Sequence, residues 1–178
     1  MNFNAFPSER YFESFVVNNS IENSMCPLTD KDYKYVYTQQ DLSRHGVPDI
    51  VYIDWDDVEA PEHKHIKVTV IELKNVRLMA KHVSQLLRYI KALDNSLKAF
   101  QDKLGFTYEL DGVLAGLPSK EKDFDFLADA FPFINVLNAG LNEIGEFKKK
   151  SALSAEYSQP MSTASAAFVI KEAYYHYD

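Results

Sequence analysis

The stretch Ile66-Lys67-Val68-Thr69-Val70-Ile71-Glu72-Leu73-Lys74 decides how this chain folds. Its centre, Val68-Thr69-Val70-Ile71, is a dense β-branched run, and such side chains suit a pleated sheet. Successive side chains of a strand leave opposite faces, so Glu72 and Lys74 emerge together while Leu73 turns into the core. Taken alone, Glu-Leu-Lys at a strand end is most simply a solvated ion pair. Its neighbours in the sequence make it more specific.

Upstream, residues 50–55 form a second apolar strand, and Asp49 directly precedes it. Residues 33–37, Tyr33-Lys34-Tyr35-Val36-Tyr37, have the aromatic and β-branched content of another strand. A loop at 43–48 and a turn around Asp54, Asp56, Asp57 and Pro61 separate the three. Short links of this kind predict an antiparallel meander. If the strands bearing Asp49 and Glu72 are adjacent, two carboxylates and one ammonium converge at the sheet edge.

Downstream the period changes. Val83, Leu86, Leu87, Ile90, Leu93 and Leu97 make a broad apolar stripe, which predicts a helix over about 78–100. Gln85 and Tyr89 stack on one face of it, and Lys81, Arg88 and Lys91 are cations available to phosphates or simply to water. Residues 107–110 and 112–115 around Asp111-Gly112 read as a hairpin, or as a single bulged strand returning beside the third one. A helix at 121–130 and a strand at 133–137 follow. Residues 169–177 read equally as an edge strand or a helix.

Before the strands, residues 8–19 form a short helix that Ser8 can cap, with Phe12, Phe15 and Val16 on its apolar stripe. Glu9 and Glu13 lie one turn apart, so they project from similar faces. Residues 21–32 are polar and contain Pro27, as a loop would. The order of elements fits an α/β sandwich of sheet and helices.

Composition sets bounds on this reading. A chain of 178 residues with 46% apolar content suits one domain with one core. The single Cys26 excludes an intrachain disulfide and any zinc site built from cysteine pairs, and suits a cytoplasmic or other reducing compartment. The first residues lack the basic segment and apolar core of a signal peptide, and no apolar run reaches the roughly 20 residues needed to span a bilayer. A formal net charge of −7 disfavours indiscriminate binding to nucleic acid backbones, although cations can still gather on one face. No Gly-rich phosphate loop, serine-hydrolase signature or zinc-protease signature is present. The two-residue spacing of His63 and His65 would put both on one side of a strand, as metal ligands can be, but no third ligand is placed beside them and an exposed polar turn after Pro61 accounts for them better.

The run His45-Gly46-Val47-Pro48-Asp49, then Ile71-Glu72-Leu73-Lys74, then Gln85-Leu86-Leu87-Arg88-Tyr89 resembles the PD-(D/E)XK nuclease superfamily, most of all its RecB-like and NucS-like branches. The motif-bearing resemblance covers residues 9–92 and extends to Gly112-Val113-Leu114-Ala115-Gly116. It implies a restriction-endonuclease-like core, a central mixed sheet flanked by helices, over about 9–137 of a single domain 1–178 with a C-terminal extension.

It implies further that Asp49 and Glu72 bind Mg²⁺ or Mn²⁺, that the Leu73 carbonyl adds a ligand, and that Lys74 is the catalytic lysine. Gln85 and Tyr89 match the accessory helical pair. The first helix of such nucleases often bears another metal-binding carboxylate; Glu13 is the first candidate, Glu9 the second and Glu22 the third. Lys81, Arg88 and Lys91 become candidate nucleic-acid contacts. The expected activity is metal-dependent DNA hydrolysis by activated water, endonucleolytic rather than exonucleolytic, in repair, recombination, restriction or mobile-element biology. Two alternatives stand beside it: a non-catalytic nuclease-like protein that binds a protein partner or mimics nucleic acid, and an RNA nuclease. A homodimer or another protein partner is compatible with each.

Overall fold

A computed structural model describes residues 6–23, 25–29, 31–56 and 64–138. The expected element at 169–177, the C-terminal extension and His63 lie outside these residues. In chain order the elements are α1 (Glu9–Asn23), β1 (Tyr35–Thr38), a 3-10 turn (Ser43–His45), β2 (Ile50–Trp55), β3 (His65–Arg77), α2 (Ala80–Leu104), β4 (Thr107–Leu117), α3 (Phe124–Asp129) and β5 (Ile134–Asn138). The five strands form one mixed sheet in sequence order. β1, β2 and β3 pair antiparallel, as the short links predicted. β3, β4 and β5 pair parallel. A parallel pair needs a long crossover, and α2 supplies the one from β3 to β4.

The period-2 alternation of β2 and β3 divides the core in two. Val51, Ile53, Trp55, Ile66, Val68 and Val70 pack with Val83, Leu86, Tyr89, Ile90, Leu93 and Leu97 of α2. Ile50, Tyr52, Ile71 and Leu73 face the other way, onto Phe12, Phe15, Val16 and Val17 of α1. Ser8 caps α1 as expected, its Oγ accepting the Tyr11 N–H at 3.0 Å. Phe6 extends the apolar face by stacking on Phe12 at 4.0 Å between ring centroids. Ser20 and Tyr52 share a buried 2.6 Å hydrogen bond between their hydroxyls that ties α1 to the sheet.

The segment around Asp111-Gly112 is one continuous strand, β4, and not a hairpin. Two contacts explain how turn-forming residues sit inside a strand. Asp111 is buried and satisfied by the Thr69 hydroxyl at 2.9 Å and by the Lys31 ammonium. At Gly112 a Cβ would meet Ile90 Cδ1 at 2.6 Å and Leu86 Cδ2 at 3.0 Å, so the absent side chain is what lets α2 lie close against the sheet.

The third strand runs further than the sequence pattern implied. Pairing passes from Leu73 with Ala115 to Arg77 with Leu117, a bulge that accommodates Lys74, Asn75 and Val76 against Gly116 alone. A Cβ on Gly116 would come within 3.0 Å of the Lys74 carbonyl oxygen and 2.6 Å of Leu78 Cδ2. Leu78, expected to open the helix, still bonds to the sheet: its N–H donates to the Leu117 carbonyl at 2.9 Å, Met79 after it is extended, and α2 begins at Ala80. At the far end α2 continues past Phe100 until Gly105 adopts the left-handed conformation, with φ of 79°.

Candidate functional site

Antiparallel register determines what meets at the end of the sheet. Ile50 pairs with Ile71 and Thr38 with Ile50, so the residues one step beyond, Gln39, Asp49 and Glu72, fall in a row across β1, β2 and β3. The row is tied by hydrogen bonds. The Leu73 N–H donates to Asp49 Oδ2 at 2.7 Å, and the Gln39 N–H donates to the Asp49 carbonyl at 3.0 Å. Glu72 and Lys74 leave β3 on the same side, as the alternation requires, with Glu72 Oε1 2.7 Å from Lys74 Nζ. The expected meeting of Asp49, Glu72 and Lys74 is present in this geometry.

Helix α1 brings two further carboxylates to the same end. Glu9 Oε2 lies 3.6 Å from Lys74 Nζ. Glu13 Oε2 accepts from Gln39 Nε2 at 2.8 Å, and the same amide nitrogen stands 3.5 Å from Asp49 Oδ1. Glu9 therefore reaches the lysine and Glu13 the aspartate, while Glu22 sits exposed in the last turn of α1.

Crowding acids out of water raises their pKa. Burial, then the Asp49 carboxylate beside it, raises Glu72 to about 7 against the opposing pull of Lys74. Burial and Asp49 likewise raise Glu13 to about 7, with Gln39 and Arg10 opposing. Asp49 is also raised, by burial above all; the Leu73 N–H and Lys74 pull it back, and Glu9 pushes it further up. Burial pulls the Lys74 ammonium down, but the Glu72, Asp49 and Glu9 carboxylates outweigh it and hold the lysine above its ordinary value. Lys74 is thus held as a cation, which suits charge stabilisation and not proton abstraction.

One oxygen is left over. Glu72 is 1% exposed, and its Oε2 is buried without a hydrogen-bond partner. Burying a carboxylate oxygen unpaired is costly, and such an atom calls for a cation or a donor. Hard carboxylate oxygens suit Mg²⁺, which keeps several waters and is commonly held by only one or two carboxylates. The pair Asp49 and Glu72 fits that need. Among the described residues, no group of three or more His, Cys, Asp or Glu side chains is arranged to hold a metal ion.

The helical pair is hydrogen-bonded to itself, with Tyr89 turned inward and Gln85 half-buried at the edge of a groove. Gln85 Nε2 donates to the Tyr89 hydroxyl at 2.8 Å, and Tyr89 is buried. The Tyr89 ring supports the loop that carries Asp49: a Cβ on Gly46, whose φ is +104°, would lie 3.0 Å from Tyr89 Cε1. The accessory pair and the Pro48-Asp49 loop are therefore one packed unit.

Beside this unit runs an open groove of about 630 Å³ lined by Glu9, Lys74, Lys81, His82, Gln85 and Arg88, among others. Lys81 and Arg88, two of the three candidate phosphate contacts, thus share one cavity with Lys74. His82 was not anticipated. Its Nδ1 accepts the Met79 N–H at 3.1 Å, which leaves the ring proton on Nε2, and burial lowers its affinity for a second proton. Lys91 lies elsewhere, in a separate apolar depression with Leu87, Ile90, Asp94, Leu110 and Phe133. His65 is at the opposite end of β3, bonded through Nδ1 to the Thr107 hydroxyl at 2.9 Å. His45 closes the 3-10 turn before Gly46.

Gln39 is the other residue that the sequence did not single out. It sits in the polar run Thr38-Gln39-Gln40-Asp41 with no spacing or motif to separate it from its neighbours. Comparison of the chain with protein-family models, curated proteins and solved structures returned no match. No helix among the described residues is long and apolar enough to cross a membrane.

Proposed function

We propose that this protein is a divalent-metal-dependent nuclease of the PD-(D/E)XK type, hydrolysing phosphodiester bonds of DNA. The observation that carries the proposal is the joining of Asp49, Glu72 and Lys74 at one end of the sheet, with a buried Glu72 oxygen still lacking a partner. The order of elements around them, a helix, three antiparallel strands, a crossover helix and a parallel strand, supports the same reading.

Asp49 and Glu72 would hold Mg²⁺ or Mn²⁺, with the Leu73 carbonyl and the α1 carboxylate Glu13 completing the protein's share. Such an ion lowers the pKa of a bound water and offsets charge on the scissile phosphate. Lys74, held cationic, stabilises negative charge building on the phosphoryl oxygens. Tyr89 and Gln85 keep the Asp49 loop seated. Lys81 and Arg88 line a groove that leads to Lys74 and give a phosphate backbone a cationic approach on an otherwise acidic protein.

One observation favours a second reading. The Lys74 ammonium is engaged by both Glu72 and Glu9, and no three-ligand metal group is preformed among the described residues. A nuclease-like protein that binds without cutting would have such a closed centre.

Incubation of the wild-type and Lys74→Ala proteins with single-stranded, duplex, flap and branched DNA, and with RNA, in Mg²⁺ or Mn²⁺ and in chelator, separates these readings. The nuclease reading expects cleavage that needs the metal and falls about a hundredfold or more in Lys74→Ala. Cleavage of RNA alone moves the assignment to a ribonuclease. No cleavage of any substrate, with either metal, supports the binding protein.

A further inference from the structure

We propose that Gln39 is a positioning residue that holds the Glu13 carboxylate of α1 beside Asp49, so that one cation-binding centre draws on two separate elements. The proposal rests on the metal-dependent reading of the site and adds to it a residue outside its three motifs.

Three features of Gln39 argue for it. The first is its backbone. Gln39 follows β1 with φ of +51°, a left-handed conformation that residues other than Gly, Asn and Asp adopt at a cost. Glycine would meet the turn's needs better, yet a long amide side chain stands there. The second is what fixes that backbone: the Gln39 N–H donates to the Asp49 carbonyl, and the following Gln40 and Leu42 are buried. The conformation is imposed from both sides.

The third is where the side chain then goes. Its Nε2 donates to Glu13 Oε2 at 2.8 Å and lies 3.5 Å from Asp49 Oδ1. An amide donor between two carboxylates offsets their repulsion without adding charge. Glu13 is held by its helix only at the backbone, and three rotatable bonds would otherwise let its carboxylate turn to water. The Gln39 amide therefore fixes the Glu13 carboxylate on the Asp49 side of α1.

The test uses the full chain. Gln39→Gly removes the amide and at the same time relieves the left-handed backbone, so its effects on folding and on the site have opposite signs. Titration calorimetry with Mn²⁺ is expected to show affinity weakened about tenfold or more in Gln39→Gly, while the melting temperature holds or rises. In a Glu13→Gln background the same change should have little further effect on Mn²⁺ affinity, because Gln39 acts through Glu13. Unchanged affinity in Gln39→Gly, or a full additional loss on top of Glu13→Gln, overturns the proposal.

Wild-type protein that takes up no Mn²⁺ overturns the metal reading itself. The Gln39 bridge then has its own readout: the side-chain amide proton resonances of Gln39 should move in Glu13→Ala, because the donated bond is lost. Identical Gln39 side-chain amide resonances in the two proteins exclude the bridge whatever the metal does.

Discussion

The Leu73 backbone N–H donates to Asp49 Oδ2 at 2.7 Å, which locks the loop before β2 onto the outgoing end of β3. An asparagine at position 49 can preserve this bond through its side-chain carbonyl, while it discards the charge that Glu13, Glu9 and Glu72 crowd. Asp49→Asn should therefore melt no lower than the wild type, and yet lose Mn²⁺ binding and cleavage. Asp49→Ala also orphans the Leu73 N–H, at a cost of about 1–3 kcal/mol. Denaturant unfolding and calorimetry on the two variants check this; equal destabilisation by both would deny the bond its role.

Lys74 offers a second separation of stability from activity. Removing it by Lys74→Ala leaves Glu72, 1% exposed, without its cation. Breaking a buried pair in this way destabilises most above about pH 7, where Glu72 is ionised, and less below it, where the acid takes up a proton instead. Adding Glu72→Gln should restore most of that stability, because the uncompensated charge is gone, and should restore no cleavage. A double variant as unstable as Lys74→Ala would show that Lys74 acts by packing its stem and not by charge.

The raised acids predict how stability follows pH in metal-free protein. Glu72 and Glu13 titrate near 7 when folded and near the ordinary 4.5 when unfolded, so between these values the native state binds more protons. Stability must then fall as pH rises from about 4.5 to about 7, and level off above. Glu72→Gln should flatten that decline, and saturating Mn²⁺ should oppose it by binding the ionised form. Urea midpoints measured across the range test the sign, and a rise through the same window would contradict the burial assigned to these groups.

Much of this arrangement is legible in the sequence, and the illegible parts have definite causes. β2 begins and ends where its apolar run does, at Ile50 and Trp55, because both faces of this strand are buried. β3 overruns its apolar run because a bulge opposite Gly116 absorbs Lys74, Asn75 and Val76, a tertiary accommodation with no local signature. Asp111-Gly112 looks like a turn because the reasons for those residues, the Thr69 and Lys31 partners and the closeness of Ile90, lie 21 or more positions away. The three motifs found Asp49, Glu72 and Lys74 because a strand fixes side-chain direction from sequence alone. Gln39 escaped because a positive φ at glutamine cannot be read from its neighbours.

Gly46 links the Asp49 loop to α2, and the smallest possible change there should be felt at the site. Gly46→Ala places a methyl about 3.0 Å from the Tyr89 ring and strains a backbone at φ of +104°. A cost of about 1–3 kcal/mol is expected from the backbone alone. If Tyr89 yields, the loop stays but Gln85 loses its acceptor; if the loop yields, Asp49 moves away from the Leu73 N–H. Activity should fall further in Gly46→Ala than in Tyr89→Phe, which keeps the ring and sacrifices only the hydroxyl. The ratio of the two cleavage rates measures how far the loop, and not the hydroxyl, matters.

The groove provides a test of substrate approach that spares the chemistry. Lys81 and Arg88 line the cavity that Lys74 also lines, whereas Lys91 on the same helix opens into a different, apolar depression. Removing a cation that neutralises one phosphate should shift the slope of log affinity against log salt by about one. Lys81→Glu and Arg88→Glu should therefore weaken DNA binding across all sequences and reduce that slope, measured in Ca²⁺ to hold cleavage back. Lys91→Glu makes the same change in net charge. Lys91 sits one helical turn from Arg88 and shares its local field, but it opens away from the groove, so its loss should lower affinity only slightly and leave the salt slope near wild type. Equal effects from all three substitutions would mean that the protein's overall field, and not this groove, draws in the nucleic acid.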